Sequence, residues 1–583
     1  MSRQMKVSTI LIIIFVGCVL TAPVLIYGIS PFSDDGAIHA AWYINFSDQL
    51  WAGTLYPRWL PGLNGGLGSP TFFYYPPVAF FLTSLLKPFF SNDITGVQQV
   101  GVSASAAIIA SGVFAYLWLR ELVDPRSVVI CAILYMITPY HLVSDLYVRS
   151  SFAELWAFVW LPLILYFTHQ VSKNHRFAFV GLAISYSLLI MTHLPTTLIF
   201  SLIPLGYVVV EAEADQKLRR LLVVSGAMLV GIGLSGIYLY PAMTTQSYVF
   251  IDRLTIGYFS YKNWLFFSRV DLWTIDKIRI LLLVIDLAVV ACCAYAVIRR
   301  SNLNKNIKKL GLFWFAVALA SILMMTDLSR PVWDIVTPLQ KLQFPWRFNV
   351  ILSLAITALC ALAISSIKNS PLMKISVVRI LALISIFIWI PSAAYGMWWH
   401  FAPEVAPTAV LRGLEAPEYR PRWSRSMAAM DWEMTKDEDL WDAEITTEYK
   451  GLMERTGASE EDPPRFKIVE GAEQANVISW KPREILLHAV SSSVMKVRIS
   501  QFYFPNWRAT DFEKQREFDI SPSEPDGLIT LELPSGDQTI SFTLEKSREE
   551  WLGQSLSLAA ALGLSLYVLI AALYRPKKLY SNQ

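Results

Sequence analysis

Two adjacent carboxylates are the first residues in this chain whose types and spacing could do chemistry. The stretch Ser33-Asp34-Asp35-Gly36-Ala37-Ile38-His39 follows a long apolar run, which puts the pair at a membrane surface. Carboxylates there are costly unless paired, metal-bound or hydrated. The bland reading is a solvated helix start, with both acids favoured by the helix dipole. The chemical reading makes Asp34 and Asp35 a general base beside a substrate, or the oxygens of a divalent-cation site. A second group is Tyr147-Val148-Arg149-Ser150-Ser151-Phe152-Ala153-Glu154. Arg149 and Glu154 either form a local ion pair, or Arg149 presents a bidentate fork to a phosphate. His193, in Thr192-His193-Leu194-Pro195, lies at the joint of two apolar runs. A lone intramembrane histidine is expensive and points to function, although a satisfied structural histidine is the alternative. Arg347 starts a further apolar run within Leu342-Gln343-Phe344-Pro345-Trp346-Arg347-Phe348, and Arg253, Lys262 and Arg269 add positive charge.

Between these groups run Gly53-Thr54-Leu55-Tyr56-Pro57-Arg58-Trp59, the glycine-rich Gly62-Leu63-Asn64-Gly65-Gly66-Leu67-Gly68 and the aromatic Phe72-Phe73-Tyr74-Tyr75-Pro76-Pro77. Glycine-rich backbone and aromatic faces suit a sugar or an isoprenoid, and they equally suit close packing at an interface. The inventory fits general-base catalysis beside a phosphate leaving group. It also fits an anion transporter. The sequence has no P-loop, which speaks against ATP hydrolysis. No Cys/His cluster has zinc-site spacing. No soluble segment carries a basic patch with interleaved aromatics, so nucleic-acid binding has no support.

The elements that must position these residues are mostly membrane helices. Of 583 residues, 54% are hydrophobic and only 16% charged, against about 25% charged in soluble domains. Aromatics are abundant, with 20 Trp, 25 Tyr and 32 Phe. Trp and Tyr favour membrane–water interfaces. Apolar runs long enough to span, about 17–25 residues, fall near 7–29, 97–119, 127–143, 152–169, 177–193, 195–211, 221–241, 279–299, 310–326, 347–367, 377–397 and 552–574. The first reads as an uncleaved span and not as a signal peptide, because it is long and lacks an obvious small-residue cleavage site. The stretch 72–90, broken by Pro76, Pro77 and Pro88, reads as a re-entrant or interfacial helix.

An even number of spans, about twelve, leaves both termini on one side of the membrane. Basic residues choose that side, because they stay cytoplasmic. They fall in alternate loops, from Arg3 and Lys6 through Arg120, Arg126, Lys173, Arg176, Lys217, Arg219, Arg220, Arg299, Arg300, Lys305, Lys308, Lys309, Lys368 and Lys374 to Arg575, Lys577 and Lys578. The expected location is therefore a bacterial inner (plasma) membrane, crossed many times, with both ends cytoplasmic. The expected division is a transmembrane module at 1–397 with outer loops 30–96, 242–278 and 327–346, an extracytoplasmic domain at 398–551, and a last helix with a cytoplasmic tail at 552–583. Between 400 and 550 there are 29 Asp+Glu against 18 Lys+Arg. None of the five cysteines lies there, so that domain has no disulfide. The part from 405 to 465 reads as mixed helix and loop. From 466 onward, Phe466–Val469, Glu484–Val490, Met495–Phe504, Gly527–Leu533 and Thr539–Leu544 read as strands, divided by turn signals such as Pro525-Asp526-Gly527. A small β-sandwich before the last helix is the simplest fold for them.

With these residues in place, the chain resembles the GT-C superfamily of membrane glycosyltransferases. Within reach of that superfamily it resembles more closely the bacterial YfhO-like membrane proteins and those labelled 6-pyruvoyl-tetrahydropterin synthase-related. The resemblance rests on Asp34-Asp35-Gly36-x-x-His39, Gly53-x-Leu55-Tyr56-Pro57, Tyr147-x-Arg149-x-x-x-x-Glu154, Thr192-His193-x-Pro195, Phe344-Pro345-Trp346-Arg347-Phe348, and Phe502-Tyr503-Phe504-Pro505-Asn506-Trp507-Arg508 with Pro525-Asp526-Gly527-Leu528. Each motif is short, and the specificity lies in their order. The resemblance implies a sugar donor built on a polyprenyl phosphate, a membrane lipid, with transfer at the outer face to an acceptor glycan, lipid or protein. It implies that Asp34 deprotonates or orients the acceptor hydroxyl. Asp35 stands where many relatives have Glu. His39, Arg58, Arg149, Glu154, His193 and Arg347 become the expected substrate-binding residues, and Asp34 and Asp35 the carboxylates for any metal. A transporter or flippase of a lipid-linked or anionic solute, and a non-catalytic assembly scaffold, are the competing functions.

Overall fold

The computed structural model of the chain describes residues 3–30, 33–90, 94–123, 125–267, 305–366, 416–425, 466–470 and 474–573, with a few isolated helical positions between them. The expected spans near 279–299 and 377–397, and most of the 405–465 stretch, lie outside the described residues.

Among the described residues, seven helices are long and apolar enough to cross a membrane: Gly96–Leu119, Val128–Val148, Phe152–Ser172, Leu194–Glu211, Lys305–Met324, Pro345–Ile364 and Arg548–Leu573. An eighth crossing results if Lys217–Leu234 and Gly236–Thr244, bent by 73°, count as one. The protein is a helical membrane protein with a C-terminal β-sheet region. Several expected spans are broken. The first divides into Arg3–Leu20 and Ala22–Tyr27, with Pro23 in the opening turn of the second piece, where its missing N–H costs nothing. The 177–193 and 195–211 pair divides at an extended His193, the residue before helix Leu194–Phe200. Pro195 stands in the first turn of the second helix, where its missing N–H costs nothing, and it has no N–H to continue the helix that precedes it. The joint is stitched by the indole N–H of Trp160 donating to the hydroxyl of Thr192 at 2.9 Å and by Val78 N–H donating to the Met191 carbonyl at 2.9 Å. The stretch 72–90 is two short helices, Thr71–Tyr74 and Val78–Leu86, parted at Tyr75-Pro76-Pro77.

The C-terminal region folds as two antiparallel sheets. The strands are β1 (Phe466–Glu470), β2 (Gln474–Lys481), β3 (Glu484–Ser491), β4 (Met495–Phe502), β5 (Trp507–Asp511), β6 (Glu517–Phe518), β7 (Ile520–Pro522), β8 (Leu528–Leu533) and β9 (Gly536–Leu544). One sheet has the order β1-β4-β8-β7 and the other β2-β3-β9-β5-β6. Burial alternates along β3 and β9, as it must where one face of each strand meets a core. Ile485, Leu487, Val497, Ile499, Leu531, Ile540 and Phe542 supply that core. The five strands expected from alternation correspond to β1, β3, β4, β8 and β9. The four short or edge strands carried no such signal. β2, at a sheet edge, alternates only between exposed and half-buried.

The sandwich sits on the loop that follows helix Gly36–Trp51. Trp59 packs edge-on against Trp507 and tilted against Phe504. The N–H of Phe502 donates to the Leu67 carbonyl at 2.7 Å. The glycine-rich loop therefore serves packing between the helical region and the sandwich.

Candidate functional site: a buried charge cluster centred on Arg149

Helix Val128–Val148 does not run as a regular α-helix to its end. From Tyr140 to Val148 it widens to a π-helix, entered through Pro139. Such turns are rare and recur at functional sites. The π-register sets Arg149 N–H on the Ser144 carbonyl at 2.8 Å and brings Asp145 and Arg149 onto one face. Ser150 then takes a left-handed backbone, φ +51°, sparsely populated by residues other than glycine. The turn holds Arg149 between two helix ends, with helix Phe152–Ser172 starting immediately after.

Arg149 is the hub of the cluster. Its Nη1 lies 3.0 Å from Asp145 Oδ1 and 3.1 Å from Glu154 Oε2, and its Nη2 lies 3.4 Å from Asp35 Oδ2. Nη1 also donates to the Tyr140 hydroxyl at 3.3 Å, and that hydroxyl donates to Glu154 Oε1 at 3.1 Å. Asp145 and Glu154 are fully buried and Arg149 nearly so. Buried charges of this kind persist only when paired and hydrogen-bonded. Arg347 approaches Glu154 from another helix start, with Nε 3.8 Å from Oε2, while its Nη1 donates to the Leu342 carbonyl at 2.6 Å. Among the described residues the Arg347 Nε has no hydrogen-bond acceptor.

The acidic pair divides its roles. Asp35 is half-buried and bound to Arg149, and its backbone N–H also donates to the Arg149 carbonyl at 3.0 Å. Asp34 is exposed in the preceding turn. Gly36 is required there: a Cβ would stand 2.2 Å from the Ser30 carbonyl oxygen. One helical turn further on, His39 is buried. Its Nδ1 lies 3.2 Å from the Ser150 carbonyl, which can only accept, so Nδ1 carries a proton. Its Nε2 lies 3.1 Å from the Tyr75 hydroxyl. Burial lowers the His39 pKa from 6.5; Asp35 and the Ser150 contact oppose the shift, and Arg149 reinforces it. His39 is thus a neutral imidazole that accepts the Tyr75 O–H. His193 holds Thr196 Oγ1 through Nδ1 at 2.8 Å, and Glu154, Arg347, Arg149 and His39 are all within electrostatic reach of it.

Asp35, His39, Arg149, Glu154, His193 and Arg347 thus converge from four separate parts of the chain. Arg58 does not join them. It is buried with Nε 3.1 Å from Glu550 Oε1, donates to the Ile237 carbonyl at 2.6 Å, and lies over the Tyr56 ring at 3.9 Å. The expected substrate contact is instead a structural ion pair, because the partner that neutralises it arrives from the start of the last helix. Arg149 also departs from the expected phosphate fork, since carboxylates occupy its donors. Asp145, Tyr140 and Tyr75 belong to the cluster and were not expected. The i, i+4 spacing of Asp145 and Arg149 was the one signal for the first. As for a cation, among the described residues no three His, Cys, Asp or Glu side chains are grouped to hold a metal, and the Asp35 carboxylate faces a guanidinium. Among the described residues the arrangement does not fit a metal.

Residues 72–398 match a family model described as "6-pyruvoyl-tetrahydropterin synthase related domain; membrane protein". No curated protein matches the chain. Among solved structures, the mycobacterial arabinofuranosyltransferase AftD matches at 14% identity and a TM-score of 0.42, covering 74% of this chain and 29% of that one. The oligosaccharyltransferase of Archaeoglobus fulgidus matches at 14% identity and a TM-score of 0.34, covering 78% and 58%. ArnT from Cupriavidus metallidurans, bound to undecaprenyl phosphate, matches at 13% identity and a TM-score of 0.30, covering 63% and 78%. The chain spans under a third of the length of AftD.

Proposed function

The chain belongs to the 6-pyruvoyl-tetrahydropterin synthase-related family of membrane proteins, and from that premise we propose that it is a glycosyltransferase. It moves a sugar from a polyprenyl phosphate to an acceptor hydroxyl at the outer face of the membrane. Both termini lie in the cytoplasm in this reading, and the β-sandwich lies outside. The observation that carries the reading is the pairing of an exposed Asp34 with an Asp35 locked to Arg149, beside the underused guanidinium of Arg347.

The step balances simply. The acceptor oxygen attacks the anomeric carbon and gives its proton to the Asp34 carboxylate. The bond from that carbon to the phosphate oxygen breaks, and the polyprenyl phosphate leaves with the electron pair. Arg347 meets the charge that develops on the phosphate. Arg149 keeps Asp35, Asp145 and Glu154 in position. The cluster lies at helix ends: Glu154 is in the first turn of Phe152–Ser172, and Arg347 just precedes Asn349–Ser366. That favours surface chemistry over carriage across the bilayer, since transporters gather their polar groups near the midplane.

The test uses membranes containing the full chain and a panel of radiolabelled polyprenyl-phosphate sugars. Wild-type protein is expected to release polyprenyl phosphate and form a labelled product, and Asp34→Asn to form none at an unchanged protein level. Normal product from Asp34→Asn removes Asp34 from the mechanism.

A further inference from the structure

Ahead of Arg347 the backbone makes a turn that few sequences adopt. The N–H of Phe344 donates to the Leu342 carbonyl at 2.6 Å, which closes a three-residue γ-turn with Gln343 at its centre. Gln343 sits there at φ +62° and is buried. A γ-turn with positive φ is the rare, strained form, and glycine or asparagine would take that backbone more readily. Strain of this kind persists where the surrounding contacts over-determine it, and it gathers at functional sites. Pro345 follows at once and opens the short helix Pro345–Phe348 that carries Arg347.

The turn delivers two acceptors to one nitrogen. Arg347 Nη1 donates to the Leu342 carbonyl at 2.6 Å and to Gln343 Oε1 at 3.3 Å. Both N–H bonds of Nη1 lie in the guanidinium plane. One acceptor would leave the group free to swing about that bond, whereas two fix the plane. The Phe344 ring, with its centroid 5.2 Å from Arg347 Cζ, adds a contact to the guanidinium. What remains is the edge formed by Nε and Nη2. Among the described residues the buried Nε has no acceptor and Nη2 makes no hydrogen bond. Glu154 Oε2, 3.8 Å from Nε, attracts the charge but is too far to accept its proton. Two N–H donors on one guanidinium edge are the fork that grips two oxygens of a phosphate.

We propose that Gln343 is a positioning residue. With the Leu342 carbonyl it locks the plane of Arg347, so that the Nε–Nη2 edge is held ready for two oxygens of the polyprenyl phosphate. This rests on the glycosyltransferase reading, in which Arg347 meets that phosphate. It explains why a buried glutamine occupies a backbone conformation that glycine would fill without strain: the turn brings the Leu342 carbonyl to Arg347, and the side chain supplies the second acceptor. Preorganised donors of this kind need no rearrangement as charge develops on the leaving group.

The experiment uses the full chain in detergent with undecaprenyl phosphate as the probe, and binding is read from the phosphorus NMR signal of its phosphate. Gln343→Met keeps the length of the side chain and removes the acceptor. It is expected to weaken binding about tenfold, the worth of a hydrogen bond to a charged group. Gln343→Gly relieves the backbone strain and is expected to show the same loss, since the amide is gone there too. In a double-mutant cycle, Gln343→Met added to Arg347→Met should cost nothing further, because Gln343 acts only through that guanidinium. A purely structural glutamine would instead add its full loss in that background. Wild-type affinity in Gln343→Met or in Gln343→Gly overturns the proposal, as does an additive double mutant. If Arg347→Met loses affinity and Gln343→Met does not, only the positioning role falls. If Arg347→Met binds as the wild type does, or the wild type does not bind the probe, the phosphate contact falls and the positioning role with it. If Asp34→Asn transfers sugar normally while Gln343→Met loses the probe, the general-base reading fails and the positioning role stands.

Discussion

Arg149 and Asp35 are joined twice, once through the backbone, where the Asp35 N–H donates to the Arg149 carbonyl at 3.0 Å, and once through side chains 3.4 Å apart. The double link registers the start of helix Gly36–Trp51 against the turn at Ser150, so the loop with the acidic pair cannot shift without disturbing the buried ions. Removing the guanidinium leaves Asp145 and Glu154 buried without their counter-charge. Breaking a buried pair this way costs about 3–5 kcal/mol. Arg149→Ala is expected to unfold at a clearly lower temperature in detergent, and Arg149→Lys to lie between it and the wild type, because one ammonium cannot reach three carboxylates as a fork does. An unchanged unfolding temperature in Arg149→Ala means that the cluster is not held by charge.

Asp35 is the more exposed partner, with 38% of its side chain accessible. Its ion pair is screened, and Asp35→Asn should cost at most about 1 kcal/mol. The double-mutant cycle separates the two partners. Arg149 and Glu154 should show a coupling of about 1 kcal/mol or more, and Arg149 and Asp35 a smaller one. The reverse order contradicts the burial seen here.

His39 gives a pH signature. Burial lowers its pKa below the ordinary 6.5, so the unfolded chain binds this proton more readily than the folded one. The sign follows from linkage: the contribution to stability is complete above about pH 6.5 and is lost as pH falls below that value. Unfolding temperature against pH from 8 to 5 should fall more steeply for wild type than for His39→Gln, which has no proton to gain. Parallel curves mean that folding leaves the His39 pKa unshifted.

The helical core and the sandwich were legible because burial imposes periodicity: long apolar runs for spans, alternation for β3, β4 and β9. The charged cluster was legible in part. Asp35, Arg149, Glu154, His193 and Arg347 stood out because ionisable groups are scarce in apolar sequence. Asp145 escaped because a π-turn shifts the register that helical spacing assumes, leaving the end of the span misjudged. Tyr75 escaped because it reaches His39 from a distant part of the chain, and no local pattern encodes that approach. Arg58 was misread for the same reason: an arginine among aromatics and glycines suggests a ligand until Glu550 is seen beside it.

Glu550 yields the last prediction. It closes a capping box at the start of helix Arg548–Leu573: its N–H donates to the Ser547 hydroxyl and its Oε2 accepts from the Ser547 N–H, both at 3.1 Å. The same carboxylate takes Arg58 at 3.1 Å and Arg483, from the turn between β2 and β3, at 3.2 Å. One side chain therefore ties the last helix to both the first loop and the sandwich. Arg58 is 2% exposed, so Glu550→Ala strands a buried cation and should cost about 3–5 kcal/mol. Arg483 keeps more contact with water, so Arg483→Ala should cost far less. Limited proteolysis of the full chain reads the difference: Glu550→Ala should be cut within the sandwich at protease levels that leave wild type and Arg483→Ala whole. Equal resistance of all three shows that the aromatic contact of Trp59 with Trp507 and Phe504 holds the sandwich in place without this ion pair.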